Sequence, residues 1–174
     1  MEVKRAADLM IPLGEYPHVP YWFSLREAIA VLERSQIEVG GRRSLPRAFL
    51  VFNEAYELLG VVRRRDILRG LGPRFLVDKP AEHPKTLFEV KIDPNLSEMH
   101  YDHVLTGLRE QAERSVAEVM RPVTVTVQSE DHLMKIMFEM VQNDLSMIPV
   151  LENGAVVGVV RSVDVLEEVA RLVV

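Results

Sequence analysis

Apolar positions along this chain switch between a period of two and a period near 3.6, and the same order of periods occurs twice. In the second half, Val123-Thr-Val-Thr-Val127 alternates β-branched residues and predicts a strand. Leu133, Ile136, Met137, Met140 and Val141 then recur at helical spacing, with Ser129 ahead of them as the expected N-cap. Met147 to Leu151 is a short apolar strand, Asn153-Gly154 is a hairpin turn signal, and Ala155 to Val160 is the returning strand. A short helix over Ser115–Met120, ended by Pro122, opens the set, and a helix from about Ser162 to Leu172 closes it.

The first half follows the same order. Ser24 and Glu27 form a capping box ahead of the stripe Leu25, Ala28, Ile29 and Leu32. Ala48–Phe52 and Leu58–Val62 are paired strands, joined by a turn, Asn53–Glu57, that has no glycine. Arg65–Leu71 is the closing helix, stopped by Gly70, Gly72 and Pro73.

The similarity extends to residue identity. Leu59-Gly-Val-Val-Arg-Arg-Arg-Asp-Ile-Leu68 matches Val157-Gly-Val-Val-Arg-Ser-Val-Asp-Val-Leu166 at an offset of 98. Ser24-Leu-Arg-Glu-Ala-Ile matches Ser129-Glu-Asp-His-Leu-Met at 105, and Ala7-Asp-Leu-Met-Ile-Pro12 matches Ala117-Glu-Val-Met-Arg-Pro122 at 110. The falling offset places two insertions, of five and seven residues, in the first half. Residues 1–71 and 115–174 are thus two copies of one unit. Residues 72–114 form a partly structured insertion, with a short strand at Phe88–Ile92 and a helix capped by Asn95 or Ser97 that reaches about Arg114.

Composition narrows the chemistry. The 174 residues contain no cysteine, which excludes a disulfide framework, a thiolate metal site and a cysteine nucleophile. No apolar run approaches the roughly 18 residues of a membrane span, and the N-terminus lacks a signal-peptide core, so a cytoplasmic protein is expected. The net charge of −5 divides into +3 for residues 1–75 and −8 for the rest. An acidic total disfavours nucleic acid as a partner, while the basic first part suits a small anion. No phosphate loop, dinucleotide glycine fingerprint or zinc-protease helix motif is present.

The repeated unit has Met-x-Pro near its start (Met10 to Pro12, Met120 to Pro122) and Gly-h-h-x-x-x-Asp near its end (Gly60 to Asp66, Gly158 to Asp164), where h is apolar. It resembles a pair of cystathionine-β-synthase (CBS) domains, a Bateman module, over residues 3–71 and 114–173. The resemblance implies an α/β (α+β) fold: two pseudo-symmetric repeats, each a small, mostly antiparallel three-stranded sheet with flanking helices. It also implies a regulatory role without catalysis or a required cofactor. An adenosine ligand (AMP, ADP, ATP or S-adenosylmethionine) would bind in clefts between the repeats of a homodimer and signal to an effector protein in trans.

Carried onto this sequence, the ribose-binding aspartates would be Asp66 and Asp164. The phosphate position three residues earlier holds Arg63 and Arg161 where the family has Ser or Thr. The adenine side would be Val123, Thr124 and Val125 with Met147, Ile148 and Pro149. Val19 and Leu50 are their counterparts in the first half, whose pattern is less regular, so the cleft around Asp164 is expected to be the better formed.

Other readings of the same residues stand beside this one. Asp66 and Asp164 each sit at a helix start, where a carboxylate caps amides. Arg63 and Arg161 could pair with them and fill the clefts, leaving a ligand-free dimerisation scaffold. Arg63, Arg64, Arg65 and Arg69, with Arg42, Arg43 and Arg47, read either as an anion-capturing cluster or as a solvated face; on a strand, Arg63 and Arg65 would share one side. Met134, Met137, Met140 and Met147 read as core or subunit-interface filler. His100 and His103, with Glu98 and Asp102, read as an exposed helix face before a metal site. Tyr21 and Trp22 are expected to pack between the repeats.

Overall fold

The computed structural model describes residues 3–72 and 101–174. Its first repeat contains β2 (His18–Pro20), α2 (Leu25–Arg34), β3 (Ile37–Val39), β4 (Arg42–Ser44), β5 (Ala48–Phe52), β6 (Leu58–Arg63) and α3 (Arg64–Leu71). The second contains β8 (Val127–Gln128), α5 (Leu133–Gln142), β9 (Met147–Glu152), β10 (Ala155–Arg161) and α6 (Ser162–Val173). Ahead of each repeat lies a crossing segment: α1 (Ala6–Leu9) with β1 (Ile11–Pro12), and a 3-10 turn (Val116–Glu118) with β7 (Arg121–Pro122). Helix α4 (Tyr101–Gln111) precedes the second crossing segment. The expected strand at Phe88–Ile92, the caps Asn95 and Ser97, and Glu98 and His100 lie outside the described residues.

Each repeat supplies three strands to its own sheet, and the crossing segments add a fourth. Their orders are β2-β5-β6-β7 and β8-β9-β10-β1. The pairs β2–β5 and β8–β9 are parallel and the other pairings in these sheets antiparallel. Thus β1, from the first copy, completes the second sheet, and β7, from the second copy, completes the first. The repeated motifs explain why. A Cβ built on Gly158 would lie 2.6 Å from the Ile11 carbonyl oxygen, and one on Gly60 would lie 2.6 Å from that of Arg121. Only glycine lets the crossing strand approach this closely, so the repeated Gly-Val-Val and Met-x-Pro motifs are the two sides of one contact.

Three apolar layers result. Helix-side cores hold Leu25, Ala28, Phe49 and Val51 in one repeat and Leu133, Ile136, Ile148 and Val150 in the other. Ala6 and Leu9 of α1 pack into the second-repeat core, and Val116 into the first. A third layer joins Ile11, Tyr16, Leu50, Phe52 and Val159. Strand β5 is buried at every residue because its two faces serve two of these layers.

The expected capping box at Ser24 is present: its hydroxyl accepts from the Glu27 amide at 3.2 Å, and Glu27 accepts from the Ser24 amide at 2.8 Å. At the equivalent second-repeat site the expectation is corrected. His132, not Ser129, holds the N-cap position, and the Leu133 amide donates to the Lys4 carbonyl of the crossing segment instead. Ser129 is buried, with its hydroxyl near Glu130 and Glu152. Asn153 and Gly154 both have positive φ, as the tight hairpin requires. In the glycine-free turn, the Asn53 side chain accepts from the amides of Ala55 and Glu57.

Further corrections concern segments whose fate depends on the exchange. The strand read over Val123–Val127 is in a ladder only at Val127–Gln128, because Arg121 and Pro122 belong to the opposite sheet and residues 123–126 bridge the gap. The short helix over Ser115–Met120 is a single 3-10 turn. Trp22 is exposed beside the edge of Tyr21 rather than packed between the repeats. The hairpin β3–β4 was not anticipated; its turn, Gly40-Gly41, has φ of +57° and +76° and is the sequence signal for it.

Candidate ligand cleft between the repeats

The crossing of residues 121–125 over the first sheet leaves a cleft of about 410 Å3 between the repeats. Ala48, Val61 and Arg63 line it from the first repeat. Val123, Thr124, Val125, Met147 and Pro149 line it from the second, together with Arg121, Pro122 and the loop from Asn143 to Ser146. Six of the expected site residues therefore meet in one place. They meet across the repeats, however: the expected adenine side of the second copy faces the arginine of the first, not Arg161 and Asp164. Val19, Leu50 and Ile148 are buried in the apolar layers and do not line this cleft.

Asp66 sits behind Arg63 with its side chain fully buried. One oxygen, Oδ2, accepts from the Arg63 amide and Nε, both at 3.0 Å. The other, Oδ1, accepts from Arg63 Nη2 (3.2 Å), Arg69 Nη2 (2.6 Å) and Arg121 Nε (3.0 Å). Burial acts to raise the carboxyl's pKa, but the hydrogen bonds from Arg63 and Arg121 outweigh it and hold the group well below the usual carboxylate range. The carboxylate caps α3, neutralises part of the arginine cluster and ties β7 to α3. Both oxygens are occupied, so no acceptor is left for a ribose.

Asp164 is arranged differently. Arg161 clamps it bidentately, Nε to Oδ2 and Nη2 to Oδ1, both at 2.7 Å. The remaining Nη1 donates to the Ser44 hydroxyl at 2.7 Å. Ser44 ends the β3–β4 hairpin, which occupies part of the first repeat's extra length and is anchored by buried Ile37. Tyr16 closes the neighbourhood from the crossing segment. Its hydroxyl donates to the Ala48 carbonyl at 2.9 Å and lies 2.9 Å from the Met147 sulfur. Burial raises the pKa of this hydroxyl despite the nearby Arg161. On the Asp164 side an arginine, a serine and a hairpin surround the carboxylate, while the 410 Å3 cleft, which holds the expected second-copy residues Val123 to Val125, Met147 and Pro149, opens beside Arg63.

The arginine run does not act as a strand. Arg63 ends β6, whereas Arg64 and Arg65 begin α3, so the expected shared face of Arg63 and Arg65 is absent. Arg64 Nε donates to the Pro46 carbonyl. Sequence reasoning missed Arg121 and Ser44 as site residues; Arg121 is the variable position of the second Met-x-Pro, and only the strand exchange brings it to Asp66. Among the described residues, no cluster of His, Asp and Glu is arranged to hold a metal.

Two four-stranded sheets that exchange edge strands, with a cleft at the crossing, define a paired-repeat architecture. The CBS domain family model matches residues 116–171. The chain resembles a CBS domain-containing protein from Kribbella flavida (TM-score 0.69, 15% identity, 96% of this chain and 98% of that one). It also resembles CBSX2 in complex with AMP (TM-score 0.62, 16% identity, 97% and 97%). A third likeness is to the cytosolic domain of the Mg2+ channel MgtE in complex with ATP (TM-score 0.59, 22% identity, 94% and 48%). No curated protein sequence matches. With the family-model match confined to residues 116–171, the chain as a whole has the fold of a tandem CBS pair.

Proposed function

We propose that the protein is a regulatory sensor that binds an adenosine ligand in the 410 Å3 cleft and passes the change to a partner protein. The carrying observation is the cleft itself. It has an apolar wall of Val61, Val123, Val125, Met147 and Pro149, suited to a purine, and two guanidiniums, Arg63 and Arg121, suited to phosphate. The AMP and ATP bound by CBSX2 and MgtE, which share the fold, support the ligand class. Asp66 acts by holding the arginines rather than by touching ribose.

The Asp164 side favours the other reading, a closed structural contact, so one ligand binds per chain. The module works as a homodimer through the helix pair α5–α6, where Met134, Phe138, Val141, Val163 and Leu166 are exposed together on two adjacent helices. It acts in the cytoplasm without catalysis or a bound cofactor, and its effector is a protein. No helix among the described residues is long and apolar enough to cross a membrane.

Thermal unfolding with AMP, ADP, ATP or S-adenosylmethionine tests this. A ligand at 100 times its Kd stabilises by about 2.7 kcal/mol, and Thr124→Trp, which fills the cleft, abolishes the shift. A nucleotide-free, folded protein that responds to none of the four is a scaffold instead.

A further inference from the structure

A second cavity, of about 340 Å3, lies on the other side of Arg121 and Pro122, the two residues that border both spaces. None of the residues that form the apolar wall of the 410 Å3 cleft lines it. We infer that this cavity is a separate site, independent of the adenosine reading, that holds a tetrahedral oxyanion of the inorganic phosphate type. Asp66 builds it. Its side chain has no exposed surface and fixes two guanidiniums from two elements, Arg69 of α3 and Arg121 of β7, on the single oxygen Oδ1 at 2.6 and 3.0 Å. Each of these arginines gives that oxygen one nitrogen only. Arg69 keeps Nε and Nη1, and Arg121 keeps both terminal nitrogens, none of them bonded among the described residues. Both side chains line the cavity and are 42% and 52% exposed, so an anion from solvent can reach them.

Charge and geometry select the ligand. Arg63, Arg69 and Arg121 share one carboxylate, which leaves two positive charges uncompensated. Arg114, which also lines the cavity, is spent on Glu118 at 2.8 Å, on Gln111 and on the Gly70 carbonyl. It thereby neutralises the other carboxylate of the cavity and covers a carbonyl at the C-terminal end of α3, which would otherwise repel an anion. Asp144 lines the neighbouring cleft and not this space. A dianion therefore meets a net charge that it balances. Four free nitrogens on two separate guanidiniums suit an anion whose oxygens point in several directions, whereas a planar carboxylate engages one guanidinium fork and leaves the other unserved. Because Asp66 already holds both arginines, little side-chain ordering opposes binding.

Calorimetric titration of the full, nucleotide-free chain with inorganic phosphate, sulfate, acetate and chloride at matched ionic strength tests this. Phosphate should bind one to one with a Kd of about 1 mM or tighter, sulfate comparably, and acetate and chloride at least about tenfold more weakly. This series uses the wild type, where folding is not at issue. Arg69→Gln, which leaves Arg63 and Arg121 on Asp66, should weaken phosphate at least about tenfold, the worth of about one charge-assisted hydrogen bond. Arg34→Gln, at an exposed arginine of α2, should leave phosphate binding unchanged, and so should Thr124→Trp, which fills the 410 Å3 cleft. Phosphate that binds no better than chloride or acetate overturns the inference, as does an Arg69→Gln variant that binds it like wild type. Equal weakening by Arg34→Gln would reveal a diffuse charge effect, and weakening by Thr124→Trp would put the anion in the neighbouring cleft; either result overturns the separate site and leaves the sensor reading to its own titration.

Discussion

Replacing Asp66 by asparagine tests the arginine anchor directly. The side chain keeps its volume but loses its charge, and one of its two acceptor atoms becomes a donor facing guanidinium donors. Five hydrogen bonds from three arginine side chains and one backbone amide depend on the carboxylate. Removing one partner of a buried ion pair costs about 3–5 kcal/mol. The arginines are 35–52% exposed and regain water, which places the loss at the lower end. About 3 kcal/mol corresponds to a drop of about 6–12 °C in Tm for a chain of this size. Thermal and urea unfolding at neutral pH read this out.

Acid titration supplies an independent check. The folded-state pKa of Asp66 is depressed below the unfolded value of about 3.9. Its stabilisation is therefore complete above about pH 4 and is lost as pH falls through the folded pKa. The Asp66→Asn variant should lack this part of the acid limb, so the two proteins converge in stability at low pH. A variant that melts within about 2 °C of wild type at neutral pH, a loss under about 1 kcal/mol, refutes the assignment of Asp66 as the anchor.

Gly158→Ala and Gly60→Ala should each lower stability by about 1–3 kcal/mol through overpacking against the crossing strand, whereas Gly14→Ala, with nothing within 4 Å of its Cβ, provides the control in the same urea unfolding series. Arg161→Lys should cost about 2 kcal/mol, because an ammonium cannot hold Asp164 bidentately while reaching Ser44; a Ser44→Ala loss larger than this would assign the energy to the hairpin instead. Phe138→Glu should leave the fold unchanged by circular dichroism and convert the proposed dimer to monomer in sedimentation, since it places a charge on the exposed α5–α6 face; a monomeric wild type removes the basis for that expectation.

Local order was legible in the sequence wherever neighbouring residues decide it. The capping box at Ser24, the Asn153-Gly154 turn and the apolar strands β5 and β9 follow from spacing and backbone preference alone. The internal duplication exposed the two-repeat fold, because matched blocks in matched order require matched elements. What remained hidden were contacts between segments far apart along the chain. Gly158 and Gly60 read locally as ordinary motif glycines, yet their spacing from Ile11 and Arg121 is set by the strand exchange. Ser129 looked like a cap, but the Lys4 carbonyl serves that end of α5.

The candidate site divides in the same way. The resemblance of the repeated motif to a CBS pair nominated Arg63, Asp66, Thr124, Met147 and Pro149, position by position along the chain. Which of them face one another was decided by tertiary structure. Each crossing segment belongs by sequence to one repeat and by hydrogen bonding to the other, so a cleft between them combines the arginine of the first copy with the apolar wall of the second. The same crossing turns Arg121 onto Asp66, and the β3–β4 hairpin turns Ser44 onto Arg161. The repeat itself was written in the sequence; the asymmetry between its two clefts arises only when the chain folds and the first copy's extra residues meet the second copy's arginine.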